Sequence, residues 1–246
     1  MSTIKEQQIR ESLPIKRGTA SLSQDSTRNQ AWTAAGLAMI FGYVDSYALL
    51  KFGVYASFMS GNTTSAGLHV GQTNLSTAAH SLLPIPSFVL GVFIGTLVMH
   101  SDAIHGFTKL SALVAAMLTI GVAASYFAWR DWFSILVLSA AMGIMNTSIS
   151  RVGKQSVSLG FVTGDLNYLG QHLAMGIKRK PVGEMQGPWD THWMRAALLA
   201  GIWTAFFVGA MLGAAAGAHL ASWTLLLPAF ATIVFALLHR AAISNV

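Results

Sequence analysis

FMSGNTTSAGLH at residues 58–69 and FVTGDLNYLGQH at residues 161–172 decide how this chain is read. Both follow one pattern: Phe, any residue, Ser or Thr, Gly, Asn or Asp, four residues, Gly, any residue, His. Each follows an apolar segment that carries a polar residue at depth, Asp45 before the first copy and Asn146 before the second. Gly-interrupted segments at matching positions of two halves point to a transporter-type binding site.

The similarity extends on both sides. Upstream, GYVDS at 42–46 matches GIMNT at 143–147, and downstream FVLGVFIG at 88–95 matches FFVGAMLG at 206–213. The order of blocks is the same in both halves. The second half is longer because of KRKPVGEMQGPWD at 178–190, which reads as a cytosolic loop.

Composition sets the environment. Of 246 residues, 53% are hydrophobic and 10% charged, against about 25% charged in soluble domains. The expected class is therefore an all-α integral membrane protein. Six stretches approach the ~20 apolar residues a span needs: 32–50, 87–100, 110–129, 132–150, 193–219 and 223–238. The second is short unless it begins near Leu82, with Pro84 and Pro86 in its first turns. Trp32, Trp129, Trp132, Trp193 and Trp223 lie at segment ends, where an interfacial aromatic belt places them. Residues 1–30 are polar, without apolar periodicity or a signal-peptide pattern, and read as a flexible cytosolic arm. Residues 31–246 form the transmembrane domain, with halves at about 31–130 and 131–240.

Charge decides between two topologies. With the repeated segments re-entrant, six spans remain, and only Lys51 and Arg130 of the fifteen Lys and Arg face outside. If both segments span, Lys109, Arg151 and Lys154 move outside as well. The positive-inside rule favours six, with both termini cytosolic. Three spans per half is odd, so the halves run in opposite directions, as a 3+3 inverted repeat. Broken or re-entrant elements are expected at 60–64 and 163–167. The net charge of +6 follows this topology, and no RNA- or DNA-binding motif accompanies it, so no nucleic-acid partner is expected. The chain has no cysteine, which excludes thiol nucleophiles and Cys-held clusters.

A helix with Gly-x-x-Asp, then Ser-Gly-Asn, then Gly-x-x-Asn followed by Thr-Gly-Asp, resembles the YoaK-like family of multi-spanning bacterial membrane proteins of unknown function. The resemblance runs from Trp32 onward. Ser60 stands where the family usually has Thr, which keeps the hydroxyl. The resemblance implies a multi-pass protein of the bacterial cytoplasmic (inner) membrane and names no substrate.

Asp45 and Asp165 are the acidic residues in or beside the spans. A carboxylate at depth costs about 2.5–3.5 kcal/mol on insertion scales and normally faces a bundle interior or a water-filled cavity. Each half supplies one carboxylate and one amide: Asp45 and Asn62, then Asn146 and Asp165. In an inverted repeat the four can meet as two Asp–Asn pairs, a proton- or cation-responsive cluster. The alternative for Asn62 and Asp165 is helix capping. Gly61 and Gly164 permit positive φ and close backbone approach, and the Ser60 and Thr163 hydroxyls can satisfy groups freed by a broken helix. His69 and His172 lie eight residues after the turn glycines, either as a proton relay or as interfacial residues bonded locally. No metal-ligand spacing is present, and neither a metal nor a cofactor is expected. Gly91-x-x-x-Gly95 and Gly209-x-x-x-Gly213-x-x-x-Gly217 allow close helix packing, between halves or in a homodimer.

The expected function is a small secondary transporter or channel for a small solute, in a proton-coupled form if the carboxylates titrate. The alternatives are a membrane-embedded enzyme acting on a lipid-type substrate, or a non-transporting scaffold or sensor in the lipid bilayer.

Overall fold

A computed structural model describes residues 15–102, 105–127 and 129–244. Helix α1 spans Ile15–Phe52, α2 Met59–Gly71, α3 Leu75–Leu82, α4 Pro84–Ser101, α5 Gly106–Tyr126 and α6 Asp131–Met145. A two-residue hairpin, Arg151–Val152 paired antiparallel with Gln155–Ser156, precedes α7 at Val162–Ile177. Helix α8 covers His192–Leu220, a 3-10 turn Ala221–Leu225, and α9 Leu226–Ser244. Four helical stretches are long and apolar enough to cross a membrane: Gln24–Phe52, Leu75–Ser101, Gly106–Tyr126 and His192–Leu238. The last holds two helices, α8 and α9, which meet at Ala221 with φ of 48°. The chain is an all-α membrane protein.

Three boundaries differ from the sequence expectation. Residues 15–30, expected as part of a flexible arm, continue α1 as helix, and Thr27 and Gln30 bond to other elements. Thr27 Oγ1 donates to Gln186 Oε1, and Gln30 Oε1 accepts from the Gly153 N–H. The remainder of the arm lies outside the described residues. The fourth expected span, 132–150, stops as helix at Met145. There the Thr147 and Ser148 N–H groups bond three residues back, and their hydroxyls return to the Ile144 and Met145 carbonyls at 2.8 and 2.7 Å, which ends the α-helical ladder. Third, residues 60–64 and 163–167 are regular helix. The irregular backbone precedes them, at 53–58 and 157–161.

Helices α1 and α6 form the centre. Phe41, Val44 and Tyr47 of α1 and Leu138, Met142 and Met145 of α6 are buried together with Leu118 of α5. Val89, Phe93 and Leu97 of α4 and Phe207 and Met211 of α8 stay exposed, as side chains that face lipid would. The five Trp residues at segment ends are also exposed, as the aromatic belt requires.

Glycine sets the closest helix contacts, in two matching sets. A β-carbon at Gly42 would collide with the Phe206 carbonyl, one at Gly209 with the Met39 carbonyl, and one at Gly213 with the Tyr43 carbonyl. These contacts join α1 to α8. In the other set, Gly143 meets the Phe88 carbonyl, Gly91 the Ala140 carbonyl, and Gly95 the Ile144 carbonyl, joining α6 to α4. Each residue of one set is the sequence counterpart of a residue in the other, with halves exchanged. The GxxxG faces thus pack the first helix of each half against a helix of the other half, the close approach that small residues allow.

Candidate functional site

The segments before α2 and α7 are held by side chains rather than by regular backbone pairing. Asp45, 3% exposed, lies toward the C-terminal end of α1. Its Oδ1 accepts from the Ser57 N–H and its Oδ2 from the Ser57 hydroxyl, both at 2.6 Å. Asn62, in the first turn of α2, clasps Tyr55 from the other side. Its Oδ1 accepts from the Tyr55 N–H at 2.9 Å, and its Nδ2 donates to the Tyr55 carbonyl at 2.8 Å. Backbone buried in a membrane protein must be satisfied internally, and here two side chains do so for one connection.

The second copy repeats the device in part. Asp165, in the first turn of α7, accepts at Oδ1 from the Ser158 N–H at 3.0 Å. Ser158 precedes Asp165 by seven residues, as Tyr55 precedes Asn62. The other carboxylate oxygen, Asp165 Oδ2, is buried and has no hydrogen-bond partner. Asn146 is half-buried and follows the last residue of α6.

The four polar groups are therefore not joined as two Asp–Asn pairs. Asp45 spends both oxygens on Ser57 and Asn62 spends its amide on Tyr55. The two copies meet instead through their phenylalanines. Phe58 and Phe161, the residues that precede α2 and α7, stack at 6.5 Å with an interplanar angle of 23°. A β-carbon on Gly160 would lie 3.2 Å from the Ser57 hydroxyl and 3.0 Å from the Phe41 ring. The N-terminal ends of two helices thus lie near each other, and a helix N-terminus carries a partial positive charge.

Gly61 and Gly164 do not form the break. Positive φ among the described glycines occurs at Gly53 and Gly153. At Gly61 a β-carbon would strike the Phe58 ring, so this glycine seats the ring that precedes its helix. Ser60 and Thr163 lie exposed in the first turns of α2 and α7. A cleft of about 530 Å³ runs beside the first copy, lined among others by Tyr55, Phe58, Ser60, Gly61 and Asn62.

The histidines are not arranged as a relay to the carboxylates. His172 Nε2 lies 2.7 Å from Gln155 Oε1, and His172 Nδ1 lies 2.8 Å from His192 Nδ1. Gln155 Nε2 donates to the Ser156 carbonyl, which fixes its Oε1 as the acceptor. His172 therefore donates through Nε2, and with a neutral ring its Nδ1 accepts from His192. His69 is half-buried and its Nδ1 has no partner. Beside His192, Arg195 holds Asp190 through Nε and Nη2 at 2.8 Å each. These hydrogen bonds hold the Asp190 carboxyl below the usual carboxylate range, against an opposing push from burial. Among the described residues, no group of three or more His, Asp or Glu is placed to hold a metal ion.

Ser57, Tyr55 and Ser158 were not legible as site residues. For Tyr55 and Ser158 the sole signal is the shared spacing of seven to the Asn or Asp that holds them; Ser57, twelve residues after Asp45, gives none.

The family model described as "Protein of unknown function (DUF1275)" matches residues 33–238. The chain belongs to this family. It is 30% identical over 137 residues to the UPF0700 transmembrane protein YoaK of Bacillus subtilis, an alignment covering 53% of this chain and 61% of that protein. It is 27% identical over 203 residues to the UPF0700 transmembrane protein RA0705 of Rhizobium meliloti, covering 81% of each. The chain thus spans about three fifths of the first relative and about four fifths of the second. No solved structure matches it. Transmembrane relatives and apolar helices together make this a multi-pass membrane protein.

Proposed function

We propose that the chain is a small secondary transporter or channel for a small solute in the bacterial cytoplasmic membrane. Its architecture is six spans in a 3+3 inverted repeat, with both termini cytosolic. The observation that carries this reading is the meeting of the α2 and α7 N-terminal ends at the Phe58–Phe161 stack. Both helices are short and, unlike the 15-residue apolar α6, carry polar residues along their length: Asn62, Thr63, Thr64 and Ser65 in α2, and Asp165, Asn167, Gln171 and His172 in α7. At 1.5 Å per residue, 13 and 16 residues reach about 20 and 24 Å, against a hydrocarbon core of about 30 Å.

Two sets of contacts support a re-entrant course. His80 Nε2 lies 2.9 Å from the Phe52 carbonyl, which brings α3 to the C-terminal end of α1. Gln30 and Gly153 join the hairpin to the other end of the helix's span. Eight full spans would separate both pairs across the bilayer. The exchanged glycine contacts of α1 with α8 and α6 with α4 support the repeat.

In this arrangement the cleft beside Phe58 leads to the stacked rings, which act as the gate, and α2 and α7 present N–H groups to the solute from opposite sides. Asp45 positions the connection through Ser57, and Asp165 supplies the carboxylate with a free oxygen. The test is flux in proteoliposomes, with pH-gradient decay and uptake of small solutes selected by a thermal-shift screen. Asp165→Asn and Asp45→Asn are expected to lower flux at least tenfold while remaining folded. Unchanged flux in both contradicts the carboxylate role. A non-transporting scaffold keeps the Phe58–Phe161 stack closed, so Phe58→Ala would then open no leak.

A further inference from the structure

A second pocket, sharing no lining residue with the cleft beside Phe58, lies where the N-terminal half of α1 meets the hairpin, the 178–190 insert and the start of α8. Arg28, Lys154, Gln155, Gln186, Asp190 and Arg195 line a cavity of about 210 Å³ there. Three of these side chains are cationic and one is anionic. Arg195 is already committed to Asp190, at 2.8 Å. Among the described residues, Arg28 and Lys154 pair with the well-exposed Asp25 and Glu184, each at 3.2 Å, and exposed pairs are held weakly.

This pocket does not end in protein. Ala31 and Leu198 line it, and they also line an apolar groove of about 1040 Å³ between α1, α8 and α9. The groove runs from Ala31 to Ile40 on α1 and from Ala197 to Val208 on α8. At 1.5 Å per residue that is about 14 and 17 Å, close to half the ~30 Å hydrocarbon core, or one leaflet. Its lining includes small residues such as Ala35, Ala197 and Gly201, and Trp32 stands at the rim near the polar pocket, 72% exposed. Tryptophan favours the headgroup level of a bilayer.

We infer that this composite site binds one anionic phospholipid. Its phosphate lies by Arg28 and Lys154, and an acyl chain lies in the groove along α1 and α8. Two features select that occupant. The lining charge is net positive where the headgroup sits, and basic pockets at helix ends recognise anionic headgroups. The groove length matches a single leaflet, which a soluble anion has no use for. The bound lipid would tie the 178–190 insert to α1 and α8. The site is separate from the proposed solute path, and its test does not depend on transport.

The experiment is thermal unfolding of the full chain in neutral detergent, titrated with phosphatidylglycerol, phosphatidylcholine or glycerol phosphate. Phosphatidylglycerol is expected to raise the unfolding temperature, and the other two are not. Arg28→Gln with Lys154→Gln should weaken that binding roughly thirty-fold, from about 1 kcal/mol per basic residue. Gly201→Leu should weaken it without lowering the basal temperature, because no atom lies within 4 Å of an added β-carbon, leucine favours helix, and its side chain fills the groove. Equal shifts with phosphatidylcholine overturn the anionic headgroup. An equal shift with glycerol phosphate overturns the lipid in favour of a soluble anion. A phosphatidylglycerol shift unaltered by both variants overturns the site.

Discussion

The two copies of the repeated segment use one backbone device and finish it differently. In the first, Asn62 meets the N–H and the carbonyl of Tyr55, and Asp45 meets Ser57 twice. Every polar atom of that set has a partner. In the second, Asp165 meets only the N–H of Ser158, and its other oxygen is buried without one. An amide at 165 would offer a donor in the place where Asn62 offers one to Tyr55. An unpaired buried acceptor costs about 1–3 kcal/mol, so stability alone does not account for a carboxylate there. The first copy is built to hold its loop, and the second keeps an oxygen in reserve.

Substitutions can break or sharpen that contrast, and the largest effects belong to the frame that both copies share. Gly209→Leu and its counterpart Gly91→Leu would each drive a side chain into the backbone of a packed helix. Each should cost about 3 kcal/mol or more, seen as loss of a monodisperse peak in detergent, and a well-folded Gly209→Leu protein would refute the close α1–α8 contact. Next comes the completed copy. Asp45→Ala strands the Ser57 N–H and hydroxyl, and Asn62→Ala strands both groups of Tyr55. Losses of about 2–3 kcal/mol and about 2 kcal/mol are expected in unfolding measurements.

The incomplete copy should respond in the opposite direction. Asp165→Asn restores a donor and should leave stability unchanged or raise it by up to about 1 kcal/mol, even as flux falls. A clear loss of stability would mean that Oδ2 has a role in the fold. The smallest effect is a pH dependence at the insert. The folded pKa of Asp190 is depressed, chiefly by the Arg195 hydrogen bonds. Its contribution is present above the unfolded carboxylate value of about 3.9 and is lost as pH falls through the lower folded value. Arg195→Gln should flatten the acid limb of an unfolding-temperature profile, and an identical limb would remove Asp190 from the account.

Helix positions, the aromatic belt and the small-residue faces were legible because hydropathy and spacing report them directly. Pro84 and Pro86 begin α4, as their place in a first turn requires. The end of α6 at Met145 was not legible, because the apolar run continues past it while Thr147 and Ser148 turn their hydroxyls onto the backbone. The glycines at 61 and 164 suggested a break where there is helix. Gly61 seats the Phe58 ring, while Gly164 has room for a β-carbon beside Phe161, and sequence does not distinguish either from a turn. Asp45, Asn62 and Asp165 stood out in the sequence as polar residues in or beside apolar segments, and all three are buried. Their partners did not stand out, since Ser57, Tyr55 and Ser158 are reached through the fold rather than through helical periodicity.

The central claim is that the two copies enter the membrane from opposite faces without crossing it. The absence of cysteine makes the chain a clean background for single-cysteine labelling. Gln72→Cys, after α2, and Ser156→Cys, in the hairpin, both lie at exposed positions. Treated in intact cells with a membrane-impermeant maleimide, Gln72→Cys should label, and Ser156→Cys should label only after permeabilisation. The reverse pattern, with Ser156→Cys reached from outside and Gln72→Cys protected, would show that both segments cross the bilayer and would contradict the account.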